Sequence, residues 1–317
     1  MKHRQPMLWI AAMSTVATVL AGCGDGDAGQ AAPAASGGTG LAVVATTPQV
    51  ADFVRNIGGG DVTVRQIIQP NVDPHGYEPT PADIQAIGAA TVVVKNGVGL
   101  EKWLDQTIES AGFKGTVVDS SQGVRLRTGD PGDAEMAAGD PHIWHNPQNA
   151  KIMVTNIEKA LAAADPSRAD AFTKNLTSYS AKLDTLDADN AAAFATLPAD
   201  DRKLVTNHDA FGYYVDRYGL TFVGSVIPSM DTSSELSARQ LTDLVAKIKA
   251  TGTKAIFTES SLPPKTAEAI ATQAGVTVIG GNDALYGDSL GKPGTPQGTY
   301  LGAEQHNTQV IVSALGG

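Results

Sequence analysis

Cysteine is almost absent from this sequence: Cys23 is the only one among 317 residues. A disulfide within the chain is therefore impossible. Long apolar runs are missing too. The first, residues 8–20, is about 13 residues long, short of the ~20 that a spanning helix needs. Basic clusters are also lacking beyond the first few residues, and 23 Lys and Arg stand against 33 Asp and Glu, a net charge of −10. That balance excludes nucleic acid as a partner, because neutralising phosphate requires clustered cations. Histidine is scarce at six residues, and none falls in the His-Glu-x-x-His or His-x-x-Glu-His spacing of zinc hydrolases.

What is present begins at the N-terminus. Lys2 and Arg4 precede the short apolar stretch, which suits a secretory signal. It ends in Leu20-Ala21-Gly22-Cys23, which resembles a bacterial lipobox. The expectation is a signal peptide over 1–22, a lipid on Cys23, and anchoring at the extracytoplasmic face of a bacterial cell membrane. The alternative is a cleaved signal with an incidental cysteine. Residues 23–40 are rich in Gly, Ala, Asp and Ser without apolar periodicity, as in a flexible tether. Charged residues at 18 % and hydrophobics at 42 % suit a globular remainder long enough for two domains.

From Leu41 onward, short β-branched runs alternate with helical patterns. Strands are expected at 41–46, 62–68, 91–95 and 116–119, with helices at 49–57, 81–88 and 100–110. The pattern recurs with strands at 204–206, 221–226, 255–258 and 276–279, and helices at 211–218, 234–250, 264–274 and 299–314. Such alternation predicts an α/β fold with parallel sheets covered on both faces. Two four-stranded lobes follow, 41–165 and 198–317. Between them, Asp165-Pro166 is a cap and first-turn pair. Phe172, Leu176, Tyr179, Leu183, Leu186, Ala193 and Leu197 then hold one helical stripe. A single rigid helix over 166–197 would be roughly 48 Å long; the alternative is two helices bent near residues 187–190.

Four polar residues fall beyond strand ends on this map. His75 follows the second strand, His142 the fourth, His208 the fifth, and Asp288 lies beyond the eighth. Open α/β sheets place ligands in loops at the carboxyl ends of their strands. Three imidazoles and a carboxylate make a tetrahedral set for a divalent ion of borderline softness, Zn²⁺ above all. His75 and His142 share the tripeptide Asp-Pro-His, in which proline stiffens the backbone and the aspartate is suited to brace the loop or the ring. Taken singly each is a weak signal, and Asp288 in a Gly-rich loop reads equally as a turn residue. Glu259 follows a strand end and is expected in a buried network. His145, three residues beyond His142, is expected at the surface or behind the site, and His306 is expected in solvent.

Asn71-Val72-Asp73-Pro74-His75-Gly76-Tyr77-Glu78-Pro79-Thr80, Asp140-Pro141-His142-Ile143-Trp144 and Asn207-His208-Asp209-Ala210-Phe211-Gly212-Tyr213 resemble motifs of the zinc/manganese solute-binding proteins of ABC transporters. Phe257-Thr258-Glu259-Ser260-Ser261 and Leu285-Tyr286-Gly287-Asp288-Ser289-Leu290-Gly291 do so as well. The resemblance spans Leu41 to the C-terminus. It implies two α/β lobes joined by a long helix, a metal site in the cleft between them, and His75, His142, His208 and Asp288 as ligands. It also implies a monomer that binds a metal ion and delivers it to an ABC permease and its ATPase. Histidine at position 208 leans toward zinc, with Mn²⁺ as the alternative. Many zinc members carry a His-rich loop before the second motif, whereas residues 125–139 hold no histidine. Four protein ligands would close the coordination sphere, which favours binding over catalysis. A surface adhesin with a structural metal is the competing non-enzymatic class.

Overall fold

Strand β1 (Leu41–Ala45) starts where the apolar pattern of the sequence starts. The computed structural model describes residues 40–128, 138–234 and 237–316. The expected signal peptide, Cys23 and all of the tether but Gly40 lie outside the described residues. β1 pairs in parallel with β2 (Val62–Gln66) and β3 (Val92–Lys95), and β3 pairs in parallel with β4 (Thr116–Asp119). The order is β2-β1-β3-β4. The inner strands carry the continuous Val runs and are buried, whereas β2, at an edge, alternates with solvent.

Alternation of side chains divides the first core in two. Val43, Ala45, Val92 and Val94 face α1 (Pro48–Gly58), α4 (Pro147–Ala164) and α5 (Ala169–Ala195). Val44 and Val93 face the other way, toward Ile87 on α2 (Pro81–Ala89) and Leu104 on α3 (Leu104–Ser110). Helix starts follow local chemistry. Thr47, Thr80 and Asn146 each cap a helix whose first turn holds a proline. Helix α3 begins later than the pattern predicts, because Glu101 folds back and accepts hydrogen bonds from the backbone of Asn96 and Gly97.

The second lobe has the four expected strands, hydrogen-bonded as two parallel pairs rather than one ladder. β5 (Lys203–His208) pairs with β6 (Thr221–Ile227), and β7 (Ala255–Phe257) with β8 (Thr277–Ile279). Leu204, Ala255 and Phe257 face α6 (Gly212–Tyr218) and α9 (Tyr300–Gly316). Val205, Val223 and Ile256 face α7 (Ala238–Thr251) and α8 (Lys265–Ala274). α7 starts four residues after the expected 234, where Ser237 and Gln240 form a capping box.

The spine is one helix. Asp165 accepts from Ser167 N–H and sets up a single tight turn, Pro166–Arg168, before the 27 residues of α5. Phe172, Tyr179, Leu183 and Leu186 enter the first core and Phe194 the second, so α5 serves both lobes over about 40 Å. No bend occurs at 187–190. Asp187 and Asn190 interrupt the apolar stripe because they meet Arg217 and Tyr218 of α6. The C-terminal helix, polar by sequence, buries Tyr300, Glu304, Asn307 and Ile311 against this spine and the second lobe. Both lobes lie within one unit, Gly38–Gly317.

Candidate metal centre

His75 lies between β2 and α2, His142 just before a short turn leading into α4, His208 at the last position of β5, and Asp288 beyond β8. One ligand atom from each falls within 4.8 Å of all the others. His142 Nε2 stands 3.3 Å from His75 Nε2 and 3.3 Å from Asp288 Oδ1. Asp288 Oδ2 stands 3.4 Å from His75 Nε2 and 3.1 Å from His208 Nε2. His142, His208 and Asp288 are fully buried, while His75 borders a cleft of ≈ 560 Å³ with Val98, Lys102, Pro141 and Met230.

The His75 and His142 segments are braced by their own aspartates, and His208 by a carboxylate from another strand end. Asp73 Oδ1 accepts from His75 N–H at 2.9 Å, and Asp140 Oδ1 accepts from His142 N–H at 3.0 Å. The same Asp140 oxygen also lies 2.8 Å from His142 Nδ1. Asn96 Nδ2 donates to Pro141 O, which ties this segment to the end of β3. Glu259 Oε1 accepts from His208 N–H and lies 2.9 Å from His208 Nδ1. Two imidazoles thus have a carboxylate behind them, which leaves Nε2 as the free donor atom on the inner side.

Charge follows from this geometry. Burial lowers the pKa of His142, but the Asp140 and Asp288 carboxylates outweigh it and hold it at about 9. For His208, burial is likewise overcome by Glu259 and Asp288, and its pKa is raised well above the ordinary value. Burial alone would raise the pKa of Asp288, yet His208, His75 and His142 keep it well below the usual carboxylate range. Asp140 is also lowered: His142 and Arg127 prevail over its burial.

Several residues that shape the site were given no role by the sequence, although Trp144, Gly212 and Tyr213 fall within the quoted motifs. Trp144 Nε1 donates to Gly287 O at 3.1 Å, linking the His142 segment to the Asp288 loop. Arg127 donates to Asp140 Oδ2 at 2.8 Å and to Asp216 at 2.7 Å. Gly212 makes room for this pair: a Cβ there would fall 1.6 Å from the guanidinium and displace it. Tyr213 OH donates to Asp140 O, joining the two lobes beside the site.

One expectation is narrowed and one corrected. His145 lies outside the four-residue cluster, as expected, and is fully buried, which removes the surface alternative. Its Nδ1 is 2.8 Å from Glu304 and its ring stacks on Phe211 at 4.4 Å, because α9 covers a position that sequence spacing leaves open. His306 is half-buried rather than solvated, with Nε2 3.1 Å from Ala284 O and its ring against Tyr286.

Two α/β lobes on one spine helix, with three imidazoles and a carboxylate converging between them, define a two-lobed protein with a candidate metal centre. The chain belongs to the family described as ZnuA, zinc-uptake complex component A, periplasmic, which matches residues 43–314. It is 35 % identical over 315 residues to the manganese-binding lipoprotein MntA of Bacillus subtilis (strain 168), covering 96 % of this chain and 98 % of that protein. It is 36 % identical over 275 residues to the zinc-binding protein TroA of Treponema pallidum (strain Nichols), covering 86 % and 88 %. The solved structure of the periplasmic zinc-binding protein TroA from Treponema pallidum superposes with a TM-score of 0.80 at 34 % identity, covering 87 % of this chain and 99 % of that one.

Proposed function

We propose that this chain binds a divalent metal ion, zinc foremost, through His75, His142, His208 and Asp288, and delivers it to an ABC permease with its ATPase. Its lobes would be 41–165 and 198–317, joined by 166–197, with a lipid on Cys23 holding the protein at the extracytoplasmic face of the membrane. One observation carries the ligand assignment. His208 Nε2 and both Asp288 oxygens are buried without a hydrogen-bond partner among the described residues, although they stand 3.1–3.4 Å from other polar atoms. Buried polar groups are nearly always satisfied. Once the rings give up their protons, these atoms present converging lone pairs to a cation at their common focus.

The donor set supports zinc: three imidazoles and one carboxylate suit a divalent ion of borderline softness, and one atom from each residue lies within 4.8 Å of the others. A set closed by four protein atoms also leaves no position for an activated water, as a binding protein requires and a zinc hydrolase does not. Manganese is the second reading, favoured by the 35 % identity to a manganese-binding lipoprotein over 96 % of the chain.

Metal content after purification does not separate the two, because divalent zinc outcompetes manganese at most nitrogen and oxygen sites. Growth of a deletion strain under separate zinc and manganese starvation does. Complementation by this chain is expected to restore growth under zinc starvation; rescue under manganese starvation alone would reverse the assignment. The same assay with His208→Ala is expected to fail.

A further inference from the structure

Glu259 is not one of the four converging residues, yet it touches the supports of two of them. Beyond β7 the chain runs alongside residues 284–285: Leu285 N–H donates to Thr258 O at 2.8 Å, and Ser260 N–H donates to Leu285 O at 2.9 Å. Glu259 and Leu285 form a lone parallel bridge there. The Glu259 side chain therefore starts from backbone tied to the loop that carries Asp288. Its Oε1 then reaches β5, taking the backbone N–H of His208 at 3.0 Å and meeting ring Nδ1 at 2.9 Å. One oxygen bound to both groups fixes the rotation of the imidazole as well as its height.

The other oxygen is what makes the arrangement specific. Glu259 Oε2 is buried and has no hydrogen-bond partner among the described residues. It lies against Gly287, where a Cβ would stand 2.0 Å from it. The carbonyl of this same glycine accepts from Trp144 of the first lobe, and the next residue is Asp288. Only a residue without a side chain lets the carboxylate fill the gap between His208 and the Asp288 loop.

We infer that Glu259 is a positioning residue for metal selection: it holds Nδ1 of His208 as a hydrogen-bond donor, presents Nε2 to the ion, and sets the His208–Asp288 separation for a small four-coordinate cation. This rests on the four-residue reading of the site. The separation it sets is 3.1 Å, the shortest of the four contacts around Asp288 and His142. A loosened pair would accommodate the larger coordination number that manganese prefers. The wedge thereby acts on the choice of ion as well as on affinity.

Glu259→Gln, Glu259→Ala and Gly287→Ala separate position from charge. The glutamine keeps an acceptor oxygen for His208 and loses the charge; the alanine loses both. Gly287→Ala keeps Glu259 but displaces its carboxylate. Zinc affinity is read by competition with a chromophoric chelator, and coordination number by the visible spectrum of the Co²⁺-substituted protein. Glu259→Ala and Gly287→Ala are each expected to weaken zinc by about 10–100-fold, the usual cost of losing a partner behind a metal ligand. Both should shift the cobalt spectrum away from its four-coordinate form and narrow the preference for zinc over manganese. Glu259→Gln is expected to keep the wild-type spectrum and most of the affinity.

Wild-type affinity and spectrum in both Glu259→Ala and Gly287→Ala would overturn the proposal. So would a Glu259→Gln protein as weak as Glu259→Ala, since charge rather than position would then be the cause. If Glu259→Ala does not fold, the other two variants decide the matter. His208→Ala, measured in parallel, tells the two readings apart. Unchanged affinity there overturns the four-residue site itself; a loss there, with wild-type behaviour in Glu259→Ala and Gly287→Ala, overturns only the role of Glu259.

Discussion

His75 and His142 share the tripeptide Asp-Pro-His, but their aspartates do different work. Asp140 accepts from both the backbone and the ring of His142, so it fixes the imidazole directly. Asp73 accepts only from the backbone of His75 with one oxygen and gives the other to Thr232 across the cleft at 2.5 Å. Identical sequence thus yields one braced ring and one braced loop. Protonation belongs to the same scale. A folded-state pKa of about 9 for His142, above the ordinary 6.5, means the metal-free protein gains stability from this proton below pH 6.5 and loses it as pH rises through 9. A metal ion taking these rings as ligands would displace that proton and the one on His208, whose pKa is raised in the same direction. Two results are expected: proton release at pH 7 in calorimetry across buffers of different ionisation heat, and a gap between loaded and metal-free melting temperatures that widens from pH 6 to 9. A gap independent of pH would contradict the protonation state derived for His142.

Helix α5 shows what an element contributes beyond its residues. The apolar stripe in the sequence is real, and Leu183 is fully buried in the first core. Leu183→Ala should destabilise the protein by about 2–5 kcal/mol, through lost transfer energy plus a cavity. Chemical denaturation measures this, and a loss under 1 kcal/mol would mean the spine is less tightly packed than its burial indicates. The interruptions of the stripe were less legible. Asp187 and Asn190 read locally as a break, whereas they are polar contacts with Arg217 and Tyr218, which lie some thirty positions away. The helix continues because those partners satisfy polar side chains that would otherwise be buried alone. Helix α9 is the converse case. Its sequence looks polar because Glu304, Asn307 and Thr308 are paired inside the molecule with His145, Tyr286 and Tyr214.

Across the whole molecule, contacts at the His75 side of the cleft between the lobes include small polar ones. Thr232 bonds Asp73, Ser289 Oγ accepts from Asn71 N–H at 2.6 Å, and Lys102 meets Asp231 at 2.5 Å. The ion pair is largely exposed on its lysine side and is screened by salt. On the far side, Trp144 and Tyr213 join the lobes through buried bonds, and Arg127 reaches Asp216 in an exposed ion pair. His75, which borders the 560 Å³ cleft, marks the side on which an ion would pass. Thr232→Val, which removes the bond to Asp73, is expected to speed zinc transfer to a chelator and zinc uptake together, leaving the dissociation constant nearly unchanged. Stopped-flow transfer at low and high salt tests it, and unaltered rates would place the path elsewhere. The sequence by itself determined the order of strands and helices and the presence of one long spine, although the helix, at Ala169–Ala195, is shorter than the expected 166–197. Those features depend on periodicity and turn chemistry, which are local; positions beyond strand ends singled out the three histidines, whereas Asp288 stood out only through its resemblance to a family motif. Only the tertiary structure decided that Glu259 wedges against Gly287, that Gly212 makes room for Arg127, and that His145 is buried against Glu304. The partners are 28 residues apart for Glu259 and Gly287 (287 − 259), 85 for Arg127 and Gly212 (212 − 127) and 159 for His145 and Glu304, and local sequence does not encode a distance across the fold.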